Sequence, residues 1–212
     1  MNNVKRGKFI TVEGTEGVGK STNIAFIEQW LVNAGVVPKV TREPGGTPLA
    51  EEIRDLLLAN RTEKVDATAE LLLMFAARAQ HLNSFIEPAL AAGQWVLCDR
   101  FTDATFAYQG AGRGLSLTTI ADLEQLVQGQ RQPDLTFFLD IDVRKGLERA
   151  TARGKLDRFE QEEVAFFERV RANYLDRIQH NPKRFVVIDA GRELVDVQAS
   201  IARALENFFG LR

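Results

Sequence analysis

Cysteine is nearly missing from this chain: Cys98 is the only one in 212 residues. A single thiol excludes an intramolecular disulfide and a multi-thiol metal site, and it fits a reducing compartment. Basic residues are in no excess, with 27 Lys and Arg against 29 Asp and Glu and a net charge of −2. No broad positive field is therefore expected to attract a nucleic-acid polymer or an anionic membrane. Long apolar runs are absent, and none approaches the length that crosses a bilayer. The start, Met1 to Gly7, carries positive charge, but the apolar run behind it is too short for a signal peptide and meets Glu13. Internal repeats, low-complexity tracts and interdomain linkers are missing too. The expectation is a soluble, cytoplasmic protein forming one domain over 1–212, with hydrophobic content of 45% sufficient for a real core.

What is present is concentrated in Gly14-Thr15-Glu16-Gly17-Val18-Gly19-Lys20-Ser21. This segment fits G-x-x-x-x-G-K-[ST], the phosphate loop. The β-prone run Phe9-Ile10-Thr11-Val12 precedes it and a helical pattern follows. Its glycines let successive backbone N–H groups point at one anion. Lys20 supplies a point charge for the outer phosphates, and the Ser21 hydroxyl, with Thr22 next to it, lies where Mg²⁺ is held. The helix beginning near Lys20 aims its positive end at the same place. The chain is expected to bind a nucleoside triphosphate.

Five apolar runs read as strands: Lys8–Glu13, Val37–Thr41, Trp95–Asp99, Leu135–Asp140 and Arg184–Asp189. Helical patterns fill the gaps at Lys20–Asn33, Pro48–Ala59, Ala67–Glu87, Leu117–Gln128, Val143–Ala152, Glu162–Gln179 and Leu194–Phe208. Pro88 is expected to kink or divide the third, because it lacks a backbone donor. Within that helix Leu71, Leu72, Leu73 and Ile86 are expected to face the core. The alternation predicts an α/β fold with a mostly parallel five-stranded sheet and helices on both faces. Ligands of such sheets collect beyond the carboxyl ends of the strands. Glu13, Thr41-Arg42-Glu43, Asp99-Arg100 and Asp140 are therefore expected to converge, while Asp189 reads as a turn carboxylate.

Asp99-Arg100 closes the run Trp95-Val96-Leu97-Cys98. A carboxylate there can hold the water shell of a metal, and Arg100 can clamp a phosphate in bidentate fashion. Arg42 is presented by the punctuated loop Thr41-Arg42-Glu43-Pro44-Gly45-Gly46, so two arginines at separate strand ends suit a second anion. Arg144, Arg149, Arg153 and Arg158, with Lys145 and Lys155, read as a small lid over about 144–160 whose arginines close over a transferring phosphoryl group. The alternative for this cluster is a solvated, salt-bridged helix. No general base is obvious: His180, beside Asn181-Pro182, reads as a helix-end residue and His81 as structural.

Together these motifs resemble thymidylate kinases of the bacterial kind, from Lys8 to about Asp189. Besides the phosphate loop, the strings are Thr41-Arg42-Glu43-Pro44-Gly45-Gly46-Thr47, Phe75-Ala76-Ala77-Arg78, Asp99-Arg100-Phe101, Ala107-Tyr108-Gln109-Gly110, Pro133-Asp134-Leu135-Thr136 and Gly154-Lys155-Leu156-Asp157-Arg158. The resemblance implies a phosphate-loop (P-loop NTPase) nucleoside monophosphate kinase fold, a homodimer, and transfer of the ATP γ-phosphate to dTMP with Mg²⁺. It implies that Gly14, Thr15, Glu16, Gly17, Val18, Gly19, Lys20, Ser21 and Thr22 bind ATP, with the metal on Ser21 and, through water, Asp99. Glu16 is implied to accept from the nucleotide 3′-hydroxyl, Arg42 and Arg100 to grip the dTMP phosphate, and Arg78 to donate to the thymine carbonyl edge. Either Phe75 or Met74, both on one helix face with Arg78, is implied to lie against the base. Many relatives place the stacking aromatic four residues before the base-reading arginine, where this chain has Met74. Thr105, Tyr108 and Gln109 are implied to line the base and deoxyribose, with Tyr108 crowding the 2′ position. Some relatives carry a catalytic arginine in the phosphate loop; here Thr15, Gly17 and Val18 occupy its variable positions. Catalytic charge is then expected from Lys20, Arg100 and Asp99 with the lid's Arg153 first and Arg149 second. Two alternatives to this function are a kinase of another small acceptor and a non-catalytic ATP-binding regulatory module.

Overall fold

The structure, a computed structural model, describes residues 6–152, 154 and 157–210. Five strands, β1 (Phe9–Glu13), β2 (Lys39–Arg42), β3 (Val96–Asp99), β4 (Leu135–Asp140) and β5 (Phe185–Asp189), form one sheet in the order β2-β3-β1-β4-β5. Every pairing is parallel. Helices α1 (Lys20–Asn33), α2 (Pro48–Leu58), α3 (Ala67–His81), α4 (Glu87–Ala91), α5 (Thr102–Thr105), α6 (Leu117–Gln128), α7 (Val143–Ala152), α8 (Val164–His180) and α9 (Leu194–Phe209) provide the connections.

The central strand β1 is buried along its whole length, as a strand covered on both faces must be. Its side chains alternate. Ile10 and Val12 join Leu97, Phe137 and Leu139 beneath Ile27 and Leu31 of α1 and Ile201 and Leu205 of α9. Phe9 joins Val96 and Cys98 on the other face, against Leu82, Ile86 and Leu90. Phe138 on that face packs under Phe167, Val170 and Tyr174 of α8. The lone Cys98 thiol is free and buried, and burial pushes its pKa up, so it is an inert core group.

Local chemistry fixes the helix starts. Thr47 accepts from Ala50 N and precedes Pro48 at the head of α2, and Asp66 accepts from Thr68 N at 2.8 Å to open α3. Pro88 acts as expected, but by a particular route. The π-helical turn Leu82–Ile86 separates α3 from α4, and the helix then continues past Pro88 to Ala91. The apolar face expected over Ala67–Glu87 needs one correction: Leu71 of α3 and Ile86 of the π-helical turn are buried, whereas Leu72 is 52% exposed. A second π-helical segment, Phe106–Gly112, follows α5 and was not anticipated as a helix.

Candidate active site

The phosphate loop joins β1 to α1, and its geometry depends on a left-handed Gly19 with φ of 82° at the helix cap. No side chain caps α1, so the first N–H groups of the helix remain directed into the cup. The floor of the cup touches α7. A Cβ on Gly17 would lie 1.8 Å from the Gly146 carbonyl oxygen, and one on Gly146 would lie 2.5 Å from the Glu16 oxygen. Two glycines thus bring loop and helix backbone into direct contact. Lys20 Nζ donates to Thr15 O at 3.2 Å. Its withdrawal from solvent, helped by the nearby Arg100 charge, lowers its pKa.

One cleft brings this cup together with the ends of three strands. Its lining includes Gly17–Ser21 of the loop, Glu43 and Pro44 after β2, Asp99 at the end of β3 with Arg100 after it, and Arg78 of α3. Thr105, Tyr108 and Gln109, all expected in the site, line it as well. Gly14 and Thr15 lie buried behind the cup, and Thr22 faces solvent on α1. The strand-end sorting fails at Asp140, whose two oxygens accept from Arg171 Nε and Nη2 at 2.6 and 2.8 Å away from the cleft. Asp189 is a turn carboxylate, accepting from Gly191 N at 2.9 Å.

Arg100 is the only residue other than glycine with positive φ among the described residues, at 66°. Non-glycine residues adopt this conformation at a cost that the surroundings must offset. Here the next amide, Phe101 N, donates to Glu13 Oε1 at 2.7 Å, and Arg100 N donates to Val12 O. The Arg100 guanidinium lies 4.7 Å from the Tyr108 ring centre and donates to Glu16 Oε1 at 2.5 Å. Tyr108 OH donates to the same oxygen at 2.9 Å. Arg100 Nη1 is buried without a hydrogen-bond partner, as is Asp99 Oδ1.

Arg78 is equally constrained. Its Nε donates to Glu43 Oε2 at 2.7 Å and its Nη2 to Thr105 Oγ1 at 2.9 Å. The rings of Phe75 and Phe101 lie 4.9 and 5.2 Å from its guanidinium carbon. Of the two candidates for the base contact, Phe75 is buried in the core with Leu71, Phe106 and Ile120 and stacks on Arg78. Met74, one residue earlier on the helix, is the side chain that lines the cleft.

Arg42 also departs from expectation. Its exposed guanidinium pairs with Glu51 at 2.7 Å, while Glu51 Oε1 accepts from Gly46 N, so the pair staples the β2–α2 loop. It lines a neighbouring open groove with Val40, Thr47 and Phe85. The cationic place in the cleft belongs to Arg54 of α2, which donates to Pro44 O at 2.8 Å. Arg54 belongs to no sequence motif and was missed; in the structure Leu58, four residues on and so on the same helix face, lines the cleft beside it.

The lid residues separate. Arg149 Nη1 donates to Ala190 O at 3.0 Å and does not line the cleft. Arg158 turns away from it, with Nε on Leu57 O and Nη2 2.7 Å from Glu70 Oε2. Asp157, Phe159 and Glu160 line the cleft instead. Arg153 and Lys155 lie outside the described residues. Among the described residues no group of three or more His, Cys, Asp or Glu side chains could hold a metal. Ser21 and Asp99, the two expected metal-side residues, line both the cleft and the neighbouring groove.

Comparison with known proteins places this geometry in context. The Thymidylate kinase family model matches residues 12–201. The thymidylate kinase of Teredinibacter turnerae is 69% identical over 202 residues, covering 95% of this chain and 98% of that one. The thymidylate kinase of Pseudomonas syringae pv. tomato is 58% identical over 206 residues, covering 97% and 98%. The crystal structure of thymidylate kinase from Ehrlichia chaffeensis superposes with a TM-score of 0.77 at 33% identity, covering 95% of this chain and 99% of that one.

Proposed function

The chain belongs to the thymidylate kinase family, so it phosphorylates dTMP with ATP as co-substrate, and we propose that one cleft holds both nucleotides. The reading rests above all on the lining of that cleft, where the amide cup of Gly17–Ser21 faces Arg54, Arg78 and Arg100. Neither a kinase of another small acceptor nor a non-catalytic ATP-binding module is favoured by these relatives.

The acceptor phosphate is already anionic, so the reaction needs alignment and charge neutralisation more than a base. In this proposal the ATP phosphates lie in the cup against Lys20. Arg54 and Arg100 hold the dTMP phosphate, Arg100 through its unpartnered Nη1. Arg78 offers its own unpartnered Nη1 to the thymine carbonyl edge. Met74 lies against the ring, and Thr105 and Gln109 complete the walls. Glu16 braces Arg100 and Tyr108 from one oxygen and accepts from the sugar 3′-hydroxyl, while the Tyr108 ring crowds the 2′ position.

A hydroxyl and a buried carboxylate oxygen without a partner suit a hard, oxygen-seeking cation, so Ser21 and Asp99 fit Mg²⁺, Asp99 through water. When bound, that ion would neutralise charge on the outer phosphates. Arg153 is assigned the transition-state charge, with Arg149 tying α7 to the loop after β5. We further place the protein in the cytoplasm as a homodimer. The exposed Leu49, Leu56 and Leu72 on α2 and α3 support a surface for a second copy.

Arginine scanning separates the two candidate grips. Arg54→Ala is expected to raise the dTMP KM by roughly 10-fold or more, the order expected for losing a charged hydrogen bond. Arg42→Ala is expected to change it less than about threefold, as for an exposed pair. The reverse ranking would return the acceptor phosphate to Arg42.

A further inference from the structure

Resting on the reading of Arg78 as the base-reading group, we propose that His81 is a positioning residue for base specificity, acting through Glu43. His81 is fully buried, one helical turn after Arg78. Its Nδ1 lies 3.1 Å from Glu43 Oε1 and its Nε2 lies 2.7 Å from Thr41 Oγ1. Glu43 is 5% exposed and its other oxygen, Oε2, takes the Arg78 Nε. An ionised carboxylate only accepts, so the proton of His81 sits on Nδ1 and points at Glu43. Thr41 then completes the relay at Nε2, where the hydroxyl can serve as donor.

The division of the Glu43 carboxylate is what matters. Oε1 is turned toward His81, an orientation that leaves only Oε2 on the arginine in place of the parallel, two-point pairing that guanidinium and carboxylate otherwise favour. Arg78 is therefore held through Nε alone, its Nη2 is free to reach Thr105, and Nη1 remains without a protein partner. Remove the His81 N–H and the carboxylate can rotate to take two nitrogens of Arg78, drawing the guanidinium off Thr105 and away from the base. The relay is also enclosed. A Cβ on Gly46 would lie 2.3 Å from His81 Nε2 and 2.5 Å from Thr41 Oγ1, so the β2–α2 loop closes directly over it. Phe85 stacks on the imidazole with ring centres 5.6 Å apart.

The test compares kcat/KM for dTMP with that for 5-methyl-2′-deoxycytidine monophosphate, which presents an amino group in place of the ring carbonyl. His81→Phe keeps the stacking ring and deletes the donor. His81→Leu is a second apolar replacement, and His81→Asn restores an N–H within reach of Glu43. The phenylalanine and leucine variants should lower the dTMP preference about tenfold, the scale of a misdirected charged hydrogen bond, mostly through KM for dTMP. The ATP KM should stay within about twofold, and asparagine should recover most of the preference. Arg78→Met serves as the reference and should lose the preference as well. If Arg78→Met loses it while the apolar His81 variants keep it, the relay is wrong and the base reading stands. If Arg78→Met itself keeps the preference, the base reading and the relay fall together.

Discussion

Glu13 has both carboxylate oxygens engaged out of contact with water: Phe101 N donates to one at 2.7 Å and Tyr174 OH to the other at 2.7 Å. Burial, reinforced by the negative Asp103, pushes its pKa up from 4.5 to about 8. A carboxyl whose pKa rises on folding contributes stability that is complete below 4.5 and lost as pH climbs through about 8. Asp103 shifts the other way: burial acts upward, but Arg184 and Arg177 outweigh it, so its contribution fails only as pH falls through its lowered value, below 3.8. Of these two carboxylates only Glu13 therefore acts above pH 4.5. Melting temperature should decline in wild type between about pH 5 and about pH 9, and Glu13→Gln, which mimics the protonated form, should flatten that decline. Equal slopes in the two proteins would show that Glu13 folds already ionised. Residue types at strand ends were legible in the sequence; which neighbour each would face was not. Arg42 and Arg54 carry the same charge twelve positions apart, and only the Glu51 pairing of one separates their roles. Phe75 likewise has the chemistry of a stacking face, but its ring lies on the guanidinium of Arg78.

At the scale of elements, amphipathic helices with sharp boundaries were readable. Lys20–Asn33, Leu117–Gln128 and Val143–Ala152 lie where periodicity puts them. The helical stretch from Thr102 to Gly112 was not, because most of its residues are buried and no polar face produces a 3.6-residue rhythm. That stretch carries Thr105, Tyr108 and Gln109, and seven of its residues are π-helical, a geometry frequent at functional sites. The contact between α7 and the phosphate loop escaped the sequence too, since nothing local announces that Gly146 meets Gly17. It yields a test against intuition. In a free helix Gly→Ala gains about 1 kcal/mol. Here the added carbon would lie 2.5 Å from the Glu16 oxygen, so Gly146→Ala should lower the melting temperature and weaken ATP binding, with overpacking outweighing propensity by roughly 1–2 kcal/mol. A higher melting temperature would show that loop and helix part easily.

For the molecule as a whole, strand order decides function. The arrangement β2-β3-β1-β4-β5 sets β3 between β1 and β2, so the phosphate cup, Asp99-Arg100 and Glu43 emerge side by side from three adjacent carboxyl ends. Helices α2 and α3 then bring Arg54 and Arg78 to the same cleft as the phosphate loop. A second groove opens beside it, sharing Ser21 and Asp99 but carrying Arg42 and Phe85. The most direct measurement is a crystal structure with dTMP bound. It should place the phosphate between Arg54 and Arg100, with the base beside Met74 and its carbonyl edge on Arg78 Nη1. A nucleotide lying instead in the outer groove, with its phosphate on Arg42 and its base on Phe85, would contradict the account.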